Sequence, residues 1–211
     1  MSCENWFEEK EHCPDDVLMQ GDFLLSCSFP VFGDTDNVSG IALAEDVPAI
    51  VLTQSCDLEQ KKVENVIFCA CQPLNEYFRN RYDEIKNKKI ALGRENNETL
   101  AKEIKSEINQ ELQKMCRIEG INCFILPKIE ALDEMYVVNF TDIFSLPYDI
   151  AMNFFRNQQQ VFRLKSPYRE CLSQAFARSF MRVGLDSRVD GQECKALLDE
   201  AFEGILSQYH S

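Results

Sequence analysis

Histidine is almost missing from this chain. There are two in 211 residues, His12 and His210, both close to an end. A cysteine or serine nucleophile that relies on an imidazole base would have to recruit one of those ends. No phosphate-binding GxxxxGK[ST] loop, dinucleotide GxGxxG, HExxH or GxSxG motif occurs, and kinase signatures are lacking, which removes the best-marked enzyme classes. No run of 18 apolar residues is present, so no membrane-spanning helix is expected. Residues 1–16 are acidic and polar, without the basic and apolar regions of a secretion signal, so a cytoplasmic location is expected. Basic residues are also short: Lys and Arg number 22 against 35 Asp and Glu, a net charge of −13. Such a surface repels nucleic acid and anionic membranes at long range. It argues against a nonspecific nucleic-acid binder and leaves room for one local basic site. No internal repeat or low-complexity linker interrupts the chain.

What is present is ordinary globular material. Apolar residues make up 45% and charged residues 27%, enough for one hydrophobic core, and fifteen phenylalanines supply much of its area. Ten cysteines suggest a disulfide framework until their setting is considered. In a reducing compartment they stay thiols. Cys69 and Cys71 in VIFCAC and Cys123 in INCFIL lie inside apolar runs, where they behave as small buried hydrophobes.

The pattern along the chain predicts an α+β fold. Residues 1–16 read as a ragged leader whose Trp6 and Phe7 dock on the body. A strand is expected near residues 22–29, ended by Pro30, then a turn over residues 33–40 by composition. Pro48 leads into AIVLTQSC, apolar on both faces at its start and polar at its end, the pattern of a buried strand opening onto a surface or cleft. A polar loop over 57–65 precedes the strand VENVIFCAC, which Pro73 stops. Leu100, Ile104, Ile108, Leu112 and Met115 fall at helical spacing, giving an amphipathic helix over 99–117 with Asn97 as N-cap and Gly120 as C′ residue. A shorter helix precedes it over 76–91. INCFILP and MYVVNF are strands joined by a turn over 131–134. Ser145 caps a helix with Pro147 in its first turn, and VFRLK is a candidate short strand. A helix follows from Ser166-Pro167 to about Val183, ended by Gly184, and Asp190 caps a last one. The expected architecture is a small SH3-like β-barrel or curled sheet over 17–145, with a helical hairpin inserted at 75–119 and a helical C-terminal part over 146–209 packed on the same core.

Four features are candidates for function. The polar end of the buried strand, TQSCDL, places Gln54, Ser55, Cys56 and Asp57 at a strand tip. Cys56 is a nucleophile if a positive charge lowers its pKa; otherwise it packs while Gln54 and Asp57 cap backbone groups. Cys27, Cys56, Cys69 and Cys71 form a possible zinc set, but the lone close pair Cys69-Ala-Cys71 lacks the usual ligand spacing, so no metal and no cofactor are expected. In PYRECLSQAFARSFMRVG, Gln174, Arg178 and Arg182 share a helical stripe, and Arg169 lies five residues before the first of them. These arginines either grip a carboxylate or phosphate or pair with acidic residues of the same chain. The apolar stripe of 99–117 either packs on its own domain or meets a partner or a second copy.

Two resemblances bear on these features. AIVLTQSCDL at 49–58 and SPYRECLSQAFARSFMRVGL at 166–185 resemble an uncharacterised family of small bacterial proteins, over most of the chain, with the helical insertion as the variable part. The resemblance implies a bacterial source and a His at the position of Cys171, so a family-wide catalytic role there does not carry to this chain. It implies no activity. Gly21-Asp22 on a first strand, then PAIVLTQS and VIFCACQPL, is similar in order and spacing to the PemK/MazF-like toxin barrels, which cut RNA or bind an antitoxin peptide. The basic surface of an RNA cutter is lacking, and fold analogy alone transfers no function.

The reading that follows is a non-enzymatic binding or regulatory component of a bacterial protein complex, presenting the TQSCD edge and a helical face to a protein partner. The alternative is a PemK/MazF-like ribonuclease or its inactive descendant, with Gln54, Asp57, Arg178 and Arg182 converging on one cleft. A third is hydrolysis of a small anionic ligand at the same place. Enzymatic activity, self-association, ligand and pathway stay open at this level.

Overall fold

The computed structural model describes residues 6–11, 17–32, 42–116, 122–129 and 132–180. Contacts divide the chain into a unit Met1–Ser179 and a unit Phe180–Ser211. The turn expected over 33–40, Gly120, Gly184, the helix capped by Asp190 and both histidines lie outside the described residues.

The fold is α+β. Seven strands form one antiparallel sheet: β1 (Phe7–Glu11), β2 (Asp22–Phe32), β3 (Ala42–Val51), β4 (Asn65–Pro73), β5 (Cys123–Ile129), β6 (Glu134–Pro147) and β7 (Gln160–Leu164), in the order β1-β7-β2-β3-β4-β6-β5. Five helices accompany it: α1 (Ser55–Glu59), α2 (Leu74–Ala91), α3 (Glu98–Cys116), α4 (Tyr148–Arg156) and α5 (Tyr168–Phe180).

The ladder does not close into the expected barrel; β1 and β5 are its edges. Six strand spacings would put those edges about 29 Å apart in a flat sheet. Yet the Trp6 ring, next to β1, lies 6.3 Å from that of Phe124 on β5. The sheet is therefore strongly curled. Aromatic rings bridge its edges where hydrogen bonds do not, and Trp6 also stacks on Tyr168 at 4.1 Å.

Period-2 alternation assigns each strand two faces. Phe162 and Leu164, Phe124 and Leu126, and Tyr136, Val138 and Phe140 share the concave face, against which α5 lays Leu172 and Ala175. The opposite residues, including Leu24, Val51, Phe68 and Val161, form a second cluster with Ala151, Met152 and Phe155 of α4. Farther along that convex side, Cys123 and Val137 pack with Met115 of α3, and Leu74 and Tyr77 of α2.

The hairpin at 75–119 forms as two helices. Asn97 Oδ1 accepts the Leu100 N–H at 3.0 Å, the bond expected of an N-cap. Leu100 and Ile104 are buried against Ile85. Arg81–Glu111 and Lys89–Glu107 ion pairs at 2.9 and 3.0 Å span the two helices.

Several local expectations change. FEEKE is a strand, because β7 offers it a full ladder from Phe7↔Leu164 to Glu11↔Gln160. The strand expected to stop at Pro30 continues to Phe32. Ser145 caps no helix; it pairs with Ile67 inside β6. Pro147 takes the N-cap place of α4 and Pro73 that of α2, neither with a side-chain cap bond. Proline has no N–H for the ladder, so both strands turn directly into helices there.

Candidate functional site

β3 ends at Val51, earlier than the alternation through Cys56 predicts. The chain then turns on its own polar side chains. Thr53, 8% exposed, accepts the Ile67 N–H through Oγ1 at 2.7 Å. Residues 55–59 wind into the single turn of α1. Ser, Asp and Gln compete with the ladder for backbone groups, and only Leu58 of this stretch is apolar and buried.

Each predicted residue of the tip has a definite place. Gln54 sits at the N-cap of α1, exposed, with no side-chain cap bond; the expected backbone capping by Gln54 is not made. Ser55 is structural: its Oγ accepts the Gln20 N–H at 3.2 Å. Cys56 is exposed rather than packed. Its thiol faces two acceptors, Gln54 Oε1 at 3.7 Å and Asp57 Oδ1 at 3.8 Å. A nucleophilic thiol needs a cation or a matched base beside it; Gln54 is neither, and the Asp57 carboxylate is a weak base that carries the wrong charge to hold a thiolate.

The tip is buttressed by a turn at residues 19–22, a role that the sequence pattern does not assign to Gly21-Asp22. Gln20 Nε2 donates to the Leu52 carbonyl at 2.7 Å. Gly21 donates to the Val51 carbonyl at 2.9 Å and accepts from the Leu164 N–H at 3.0 Å, tying β3 to β7. Its φ is +82°, and an added Cβ would stand 3.0 Å from Leu164 Cβ and 3.3 Å from Arg169 Cγ. Only glycine meets both demands without strain. Next to it lies a buried ion pair. Asp22 is fully buried and faces Arg163 directly across β2 and β7. Arg163 Nε and one terminal nitrogen donate to its two carboxylate oxygens at 2.6 and 2.8 Å. That nitrogen also reaches the Val17 carbonyl at 2.9 Å, and the Met19 N–H donates to Asp22 at 2.8 Å. A charge inside apolar strands, Arg in VFRL, was the available signal.

The arginines of α5 do not assemble an anion site among the described residues. Arg169 is half-buried beside Gly21 and donates to Glu170 at 3.2 Å. Slight desolvation pushes the Glu170 carboxyl up; its own backbone N–H, Arg169 and Ser166 outweigh that and hold it below the ordinary carboxylate value. Gln174 and Arg178 are exposed, and no acidic partner of Arg178 occurs among the described residues. Arg182 lies outside them. The 19–22 turn touches both Ser55 and Arg169, which links the two candidate regions structurally.

The cysteines divide by environment. Cys27, Cys69, Cys71 and Cys123 are buried free thiols. Burial, with Asp46 adding, pushes Cys27 up to about 12. Burial does the same for Cys123, to about 11, although Tyr77 opposes it. Cys69 and Cys71 are raised as well, again chiefly by burial. Among the described residues, no group of three or more His, Cys, Asp or Glu could hold a metal ion, and no helix is long and apolar enough to cross a membrane.

A second candidate site lies on the hairpin. A groove of about 580 Å³ runs between α2 and α3, lined by Phe78, Tyr82, Ile108 and Leu112 with Arg79, Asp83 and Lys105 among its polar residues. The apolar stripe of α3 is thus shared. Leu100, Ile104 and Met115 are buried, while Ile108 and Leu112 are half-covered. Residues 53–57 do not line this groove. No family model, curated protein or solved structure matches the chain.

Proposed function

We propose that this chain is a non-enzymatic binding or regulatory component of a protein complex, and that the α2–α3 groove is its docking face. The observation that carries the reading is the half-covered apolar stripe of α3. Ile108 and Leu112, with Phe78 and Tyr82, line an open groove, and helical hairpins use such grooves to receive protein segments. The TQSCD tip supports the same reading by its chemistry. Thr53 and Ser55 are spent on backbone groups, and the exposed Cys56 thiol is in contact with acceptors.

A photo-reactive residue in place of Asn109, in the groove wall, tests the proposal. Cross-linking to a protein, blocked by Leu112→Lys, is expected. A chain that cross-links to nothing across its whole working concentration range would sink the docking reading. The alternative, a PemK/MazF-like ribonuclease on an SH3-type barrel or its inactive descendant, draws support from strand order alone. RNA cleavage by the purified chain that disappears in both Gln54→Ala and Asp57→Asn would move the assignment there.

A further inference from the structure

We infer that the partner received by the α2–α3 groove is a second copy of this chain, packed hairpin on hairpin about a two-fold axis. The inference rests on the docking role proposed for the groove and goes on to name its occupant.

Charge is the first argument. Between Leu74 and Cys116 the chain carries nine Lys and Arg against eight Asp and Glu, a net of +1, whereas the remaining residues sum to −14. Two copies of so acidic a chain repel each other over most of their surface. The hairpin is a long segment without that net repulsion; residues 146–180, with five Lys and Arg against two Asp and Glu, are another.

Pairing within the hairpin leaves two charges for a second copy. Arg81 is matched to Glu111 and Lys89 to Glu107 across α2 and α3, and Arg94, just beyond α2, to Glu103 of α3. Arg79 and Asp83 are exposed in the groove wall and take part in no ion pair among the described residues. They stand one helical turn apart, on the same face. A two-fold axis in the contact plane and perpendicular to the helices lays α2 antiparallel on its own mate and α3 on its own mate. If it passes level with residue 81, Arg79 of each copy meets Asp83 of the other. The Arg79–Asp83 part of the groove wall is therefore complementary to itself, as an isologous contact requires.

Size is the third argument. With 18 and 19 residues, the helices are about 27 Å long. Two helices about 10 Å wide present roughly 500 Å² of face per copy, so a pair covers about 1,000 Å², the lower bound for a specific interface. Phe78, Tyr82, Ile108 and Leu112 from each copy would form the core of a four-helix bundle.

Sedimentation equilibrium of the full chain, with charge reversals, tests this. The wild type is expected at twice 24.4 kDa at concentrations on the order of 10–100 µM, above the micromolar Kd at the weak end of protein interfaces. Arg79→Asp or Asp83→Arg alone places like charges opposite each other twice and should weaken the dimer about tenfold. The double variant restores two opposite-charge pairs and should recover it. Both positions are exposed, and circular dichroism checks that each variant folds. A dimer indifferent to the single reversals, or a double variant no better than either single, overturns the inference. So does a wild-type monomer. If the monomer still cross-links a different protein through position 109, the groove's docking role stands and only the occupant is wrong; a monomer that cross-links nothing removes both.

Discussion

Removing the Asp22 carboxylate should be the most costly single polar change in the fold. The side chain is fully buried, with Arg163 11% exposed opposite it. Taking one partner from a buried ion pair strands the other charge, at a cost of about 3–5 kcal/mol. The Met19 N–H bonded to Asp22 loses its acceptor as well in Asp22→Leu, about 1–3 kcal/mol more. Against a total of about 5–15 kcal/mol for a domain, Asp22→Leu should leave a chain that is marginal at 25 °C. Arg163→Met alone strands the Asp22 charge and should cost a comparable 3–5 kcal/mol. The double variant Asp22→Leu/Arg163→Met removes both charges and leaves mainly the Met19 donor unsatisfied. It should be more stable than the sum of the singles by at least about 2 kcal/mol. Urea unfolding of the four proteins, with equal m-values, provides the cycle. Additivity within about 0.5 kcal/mol would refute the reasoning, because it would mean that the two side chains do not depend on each other.

Gly21→Ala should cost about 1–3 kcal/mol from its positive φ, with the close approach to Leu164 adding to it; a change below about 0.5 kcal/mol in the urea midpoint would show that the turn relaxes freely. Native-state alkylation followed by peptide mapping should modify Cys56 and Cys116, both exposed, before Cys27, Cys69, Cys71 and Cys123; early modification of Cys71 would contradict its burial. Stability should fall at alkaline pH. The buried thiols have folded-state pKa values above the unfolded value near 8.5, so their contribution is complete below about pH 8.5 and is lost as pH climbs toward about 11 and about 12, the folded values of Cys123 and Cys27. Each contributes up to about 1.4 kcal/mol per pH unit in that window, and a urea midpoint unchanged between pH 8 and pH 10 would count against it.

Legibility in the sequence followed the range of the interactions concerned. Local signals were readable. The spacing of Leu100, Ile104 and Ile108 located α3, Asn97 its cap, and Pro73 the end of β4, because each depends on neighbours within a turn or two. β1 was not readable, since FEEKE carries no apolar alternation and is a strand only because β7 pairs with it. α1 reads in the sequence as the end of a strand and the start of a polar loop: Ser55–Glu59 is too short for helical periodicity, and a Ser hydroxyl bonded to a residue 35 positions away leaves no local mark. The exposure of Cys56 follows from that helical turn. Asp22 and Arg163 are 141 residues apart, and nothing nearby in sequence marks either as the other's partner. The groove was half visible, as an apolar stripe in search of a cover.

The curl of the sheet also sets an order of events in synthesis. β1 pairs with β7 through Phe7↔Leu164, so the first strand of this sheet to be made finds its neighbour only 157 residues later. At about 5–20 residues per second, that is roughly 8–30 s during which Trp6 and Phe7 have no seam to enter. β2, β3 and β4, joined by short connections, can pair in the meantime, and so can β5 with β6. Contacts of such sequence separation slow folding. The last step would then be the arrival of β7 between β1 and β2, which docks the N-terminal strand and lets the aromatic seam shut in one move.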